Sequence, residues 1–107
     1  MLKTVFVAHK RADMTLDEFR RYWKETHAPL GAAIPGVRRY VQYHALPDTA
    51  PGVRACDGVA ELWFDSPEAL QAALTSPEGV AALGDLPNFL DMSRSGLVVV
   101  DEVPVVV

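Results

Sequence analysis

The chain has 107 residues, half of them hydrophobic and 22% charged, the proportions of one compact domain with a packed core rather than of a disordered segment. A formal net charge of −4 leaves no basic excess to neutralise a phosphate backbone, so nucleic acid is excluded as a partner class. No apolar run approaches the roughly 18 residues of a membrane span, and the short apolar N-terminus lacks a small-residue cleavage site, so a cytoplasmic location is expected.

Residues 3–9, KTVFVAH, are β-branched and aromatic and predict a first strand. In the following MTLDEFRRYWKETHAPL, Thr15 and Glu18 stand at the spacing of a capping box that opens a helix. Leu16, Phe19, Trp23 and His27 recur on one face of that helix, with Asp17, Arg21, Lys24 and Glu25 away from it. Pro29 disfavours helical backbone at Ala28, so the helix is expected to stop near His27.

GVRRYVQYHAL, residues 36–46, alternates with a period of two and predicts a second strand. Arg38, Tyr40, Gln42 and His44 share one face; Val37, Val41, Tyr43 and Ala45 share the other. Residues 47–57, with two prolines and a glycine, read as a loop, and GVAELWF (58–64) as a third strand with Val59, Glu61 and Trp63 on one face. Two SPE triplets, at 66–68 and 76–78, each supply a serine N-cap, a proline at the first helical position and an acid in the first turn. They predict two successive helix starts. Residues 85–94 read as a helical turn or loop, and LVVVDEV (97–103) as a closing strand whose unbroken apolar run implies burial on both faces at a subunit contact.

This order is that of a ferredoxin-like βαββαβ domain over residues 1–107, an α+β fold with a four-stranded antiparallel sheet covered by helices on one side. The uncovered face is expected to carry Tyr40, Val59 and Trp63. A homodimer packing sheet against sheet, a dimeric α+β barrel, would bury them and enclose a cavity.

Several side chains are candidates for chemistry in that cavity. His27 lies on the inward helix face, and an imidazole titrates near physiological pH. Tyr40 could donate to a substrate oxyanion. His44 lies on the same strand face about 13 Å further along, so His27 and His44 are expected to bracket one elongated cavity without meeting at one atom. Trp23, Val59 and Trp63 would form apolar wall, and Glu61 is expected to pair with Arg38 or Arg39 rather than be buried alone. Against each stands a structural alternative: a helix-ending core histidine, a packing tyrosine, an exposed strand-end histidine, a structural ion pair. His9 is expected at an exposed strand end, and Asp91 as a cap or loop residue. The lone Cys56 excludes an internal disulfide and any CxxC metal pattern. The three histidines lie too far apart in sequence for a metal motif, and no glycine-rich phosphate loop or GxSxG elbow occurs, so no metal and no cofactor is expected.

FRRYWKETHAPL…PGVRRYVQYH, with the later DGVAELWFDS and FLD, resembles the EthD family of small dimeric α+β barrel proteins, from residue 3 to about 103. The resemblance implies His27 and Tyr40 as pocket residues, by analogy with methylmuconolactone isomerase-type members. A functional cysteine of that isomerase has no placed counterpart, since Cys56 lies in a loop. The expected activity is a cofactor-free acid–base isomerisation, cyclisation or rearrangement of a small aromatic, lactone or polyketide-like carbonyl compound. Cofactor-independent oxygenation of a phenol or anthrone, and non-catalytic binding of a small hydrophobic ligand, remain open beside it.

Overall fold

A computed structural model describes residues 1–47 and 54–107; most of the loop expected at 47–57 therefore lies outside the described residues. Strand β1 (Leu2–Ala8) leads to helix α1 (Leu16–Tyr22), a π-helical turn (Trp23–His27) and helix α2 (Ala28–Ala32). Strands β2 (Arg39–His44) and β3 (Gly58–Phe64) follow. Helices α3 (Pro67–Thr75) and α4 (Pro77–Asp85), a 3₁₀ turn (Leu86–Asn88) and strand β4 (Gly96–Val100) complete the chain. The four strands form one antiparallel sheet in the order β2-β3-β1-β4, the ferredoxin-like arrangement.

The helix starts form as their sequences dictate. Thr15 Oγ1 accepts from the Glu18 amide at 3.1 Å and Glu18 Oε1 accepts from the Thr15 amide at 2.9 Å. Ser66 and Ser76 accept from the amides of Ala69 and Gly79 at 3.1 and 3.0 Å, each followed by its proline. The helix end expected at His27 is displaced. Pro29 has no amide hydrogen, but the preceding turn has already widened, with the Ala28 amide bonded to the Trp23 carbonyl five residues back. The ladder is reset before the proline, which then fits within the first turn of α2.

Cross-strand register decides which side chains face the helices. Thr4, Phe6 and Ala8 of β1 share that face with Ala60, Leu62 and Phe64 of β3, because Phe6 pairs with Ala60 and Thr4 with Leu62. Tyr40 pairs with Leu62, so Tyr40, Gln42 and His44 also lie beneath the helices. Phe19, Phe64 and Phe89 are fully buried there, each contributing about 1.5–3 kcal/mol of apolar burial. Arg39, Val41, Tyr43, Val59, Glu61 and Trp63 occupy the uncovered face. The expected grouping of Tyr40 with Val59 and Trp63 is therefore corrected: alternation along one strand gives two faces, and only pairing with the next strand says which face is which. The closing strand is shorter than expected, and Leu97, Val98 and Val99 are about half exposed in the single chain rather than buried on both faces.

Candidate active site

The π turn and the end of α4 build the site between them. On a regular helix Tyr22 and His27, five residues apart, point in different directions; the wider turn between them brings both toward the last residue of α4. That residue is Asp85. Its Oδ2 accepts from His27 Nδ1 at 2.8 Å, and its Oδ1 accepts from the Tyr22 hydroxyl at 2.6 Å and from Asn88 Nδ2 at 3.0 Å. Both members of the His27–Asp85 pair are about nine-tenths buried. Burial pushes the Asp85 carboxyl upward, but the hydrogen bonds from Tyr22, Asn88 and His27 outweigh it and hold its pKa below the usual aspartate value. The carboxylate also stands at a helix C-terminus, where the backbone dipole disfavours a negative charge, so those donors are what keep it there.

His27 lies against Phe89, ring centroids 4.8 Å apart, and lines a cavity of about 120 Å³ between the helices and the sheet. Trp23, Leu62, Phe64 and Leu86 form much of its wall, and Tyr40 faces it from β2. With Nδ1 donating to Asp85, the neutral ring keeps its lone pair on Nε2, the nitrogen left for an external proton.

Tyr40 is oriented by a side-chain network. Gln42 Nε2 donates to the Trp23 carbonyl at 3.0 Å, which fixes the amide orientation, because a carbonyl only accepts. The same Nε2 donates to the Tyr40 oxygen at 2.8 Å, leaving the phenolic hydrogen for another acceptor. Gln42 Oε1 then faces His44 Nε2 at 2.8 Å, so that ring nitrogen carries a hydrogen. Burial raises the Tyr40 pKa, and the bond from Gln42 partly offsets this. Gly31 makes room for the ring: a Cβ there would sit 2.7 Å from Tyr40 Cε2.

Trp23, His27 and Tyr40 thus meet at one cavity, while other expected residues lie elsewhere. His44 stacks on Trp23 at 4.5 Å from outside and does not line the cavity, so the two histidines do not bracket it. Val59, Glu61 and Trp63 are on the far side of the sheet. Glu61 accepts from Lys3 at 3.2 Å and from the Tyr43 hydroxyl at 2.9 Å, not from an arginine. Arg38 pairs with Asp65 at 2.7 Å, and Arg39 lies 4.7 Å over the Trp63 ring. Neither reaches Glu61: Arg38 is held by Asp65, and Arg39, although diagonal to Glu61 across the strands, lies over the Trp63 ring opposite it. Tyr22, Asp85, Asn88 and Gln42 were not among the expected site residues, although Gln42 was placed on the strand face of Tyr40. Asp85 carries no local signal, being 58 residues from its histidine. Among the described residues, no group of three or more His, Cys, Asp or Glu could hold a metal ion.

The EthD domain model matches residues 11–93 of this chain, most of its length. The chain belongs to the EthD family. An uncharacterized 11.0 kDa protein of Rhodococcus erythropolis, from the thcB–thcC intergenic region, is 33% identical over 73 residues, 66% of this chain and 68% of that one. A crystal structure of an ethyl tert-butyl ether D (EthD) family protein from Bacillus halodurans superposes with a TM-score of 0.79 at 25% identity, covering 96% of this chain and all of that one. A dimeric ferredoxin-like protein of unknown function from Thermobifida fusca superposes at 0.73 with 20% identity, over 94% and 90% of the two chains. An antibiotic biosynthesis monooxygenase shares the fold at 0.64 and 15% identity, over 97% of this chain and all of that one.

Proposed function

We propose that this EthD-family chain is a cofactor-free acid–base enzyme that isomerises, cyclises or rearranges a small aromatic, lactone or polyketide-like carbonyl compound. The observation that carries the reading is the buried His27–Asp85 pair at 2.8 Å, with His27 lining an apolar cavity. An aspartate that holds Nδ1–H leaves Nε2 to take a proton from carbon or oxygen and return it elsewhere on the same molecule. Tyr40, whose oxygen already accepts from Gln42, donates its hydrogen to the carbonyl oxygen as negative charge develops there. The cavity, about 120 Å³, approaches the roughly 150 Å³ that holds benzene in an engineered apolar core, which favours a ligand with a small ring.

The assembly in this reading is a homodimer joined through the uncovered sheet face, where Tyr43 and Val98 are about half exposed. Oxygenation of a deprotonated phenol is a second reading, since the same base would generate the substrate anion. It has the further support of a fold shared with the antibiotic biosynthesis monooxygenase.

The test compares wild type with His27→Ala on a small-molecule extract of the source cells, in air and under argon. Consumption of one compound by wild type alone, unchanged under argon, is the expected result. Loss under argon moves the assignment to oxygenation. Equal turnover by His27→Ala overturns the acid–base reading, and a co-purifying ligand with no product replaces it with a binding protein.

A further inference from the structure

On the outer side of α1, behind the cavity wall, lies a second concavity of about 710 Å³ lined by Arg20, Lys24, Gln42 and His44, with Asp17, Arg21 and Glu25. It shares Gln42 and the adjacent Trp23 with the catalytic side: Gln42 donates to Tyr40 in the cavity, and the Trp23 ring lies against His44. We propose that this cleft binds the oxyanion group, carboxylate or phosphate, of a small-molecule ligand, held by Arg20, Lys24 and the ring of His44.

The charges are arranged for such a ligand. In a chain of net charge −4, Lys3, Arg11, Arg38 and Arg54 each have a carboxylate within 4.0 Å. Among the described residues the other six, Lys10, Arg20, Arg21, Lys24, Arg39 and Arg94, have none, and three of these, Arg20, Arg21 and Lys24, lie together on this cleft, which Asp17 and Glu25 also line. Arg20 and Lys24, four residues apart on one helix face, repel each other, and among the described residues neither Asp17 nor Glu25 is in ion-pair contact with them. His44 is committed through Nε2 to Gln42, so Nδ1 is the ring atom available to a ligand. Protonation of Nδ1 leaves the bond to Gln42 intact and adds a charged donor. Burial first, then Arg20 and Lys24, lower the His44 pKa; neither Asp17 nor Glu25 opposes them there. An oxyanion seated between the two cations and the ring reverses that balance, so binding and protonation of His44 promote each other.

The probe is inorganic phosphate, with acetate as a separate arm, titrated at constant ionic strength against chloride while the imidazole resonances of the full chain are followed by NMR. His44→Gln identifies the His44 signal. The expected result is a saturable upward shift of the His44 titration with phosphate, acetate or both; whichever arm responds names the oxyanion. In Arg20→Gln/Lys24→Gln the titration moves up without any added anion, and the response disappears. No shift beyond that of chloride, or an unchanged response in the double variant, overturns the site. The readout is binding alone, so it stands or falls independently of His27 chemistry.

Discussion

Asp85 is the residue on which the site turns, because it orders three other side chains at once. It takes hydrogen bonds from Tyr22, His27 and Asn88, and it decides which nitrogen of His27 bears the hydrogen. In Asp85→Asn the acceptor charge is lost and the alternative tautomer becomes available, so turnover should fall about 10²–10⁴-fold, the scale of positioned proton transfer. The same variant has a signature in stability. A carboxyl whose folded pKa lies below the ordinary value of about 3.9 stabilises the fold fully above that pH. The contribution is lost as pH falls through the lower folded value. Urea midpoints should therefore drop more steeply below about pH 4 for wild type than for Asp85→Asn. Asp13, Asp65 and Asp91, also held low by their partners, are common to both proteins and cancel in the comparison. Parallel curves would show that Asp85 is not held as a carboxylate. His27 was legible in the sequence because its spacing from Phe19 and Trp23 is helical; Asp85 was not, since its partnership depends on packing between elements distant in the chain.

At the level of elements, the π turn and the glycine of α2 set the geometry of the cavity. The turn carries the helix past Pro29, and α2 then brings Gly31 against the Tyr40 ring. Gly31→Ala places a methyl group within 2.7 Å of that ring, which must tilt away from its bond with Gln42. The expected cost is about 1–3 kcal/mol of stability from overpacking and a fall in turnover of about 10²-fold from the displaced hydroxyl. Thermal melting and turnover, measured together, separate the two. Ser76 is the other element-scale hinge point: it closes α3 by donating to the Ala73 carbonyl at 2.6 Å and opens α4 by accepting from Gly79. Ser76→Ala should lower the unfolding free energy by about 0.5–2 kcal/mol in a denaturant titration. The serine caps and the capping box were readable because they are local chemistry. The π turn was not, because a proline rule looks one residue back, whereas the backbone adjusts a whole turn ahead of it.

For the whole molecule, the uncovered sheet face is the feature that asks for a second copy. Trp63 lies between Arg39, 4.7 Å over its ring, and Lys3, 5.2 Å away, with Glu61 and Tyr43 bonded beside it. A homodimer formed through this face should dissociate in Trp63→Asp, which adds a charge next to Glu61 while leaving the helix-facing core untouched. Sedimentation should read two chains for wild type and one for the variant, with circular dichroism unchanged; two chains in both would place the contact elsewhere. The ferredoxin-like order was legible because each strand and helix carries its own periodicity. The side of the sheet on which the cavity lies was not, since that depends on Tyr40 standing opposite Leu62.

The pairing of Lys3 with Val100 brings the first strand beside the last, although nearly the whole chain separates them. During synthesis the sheet therefore stays incomplete until β4 has left the ribosome. One edge of β1 stays open throughout, a template for pairing with other nascent chains. Contacts between β1 and β4 also close a long loop, which slows folding relative to helical proteins of this size. Joining β4 to β1 by a short linker and opening the chain between β2 and β3 would make that pairing local but set the paired β2 and β3 far apart instead, so such a permutant should keep the same sheet without refolding faster.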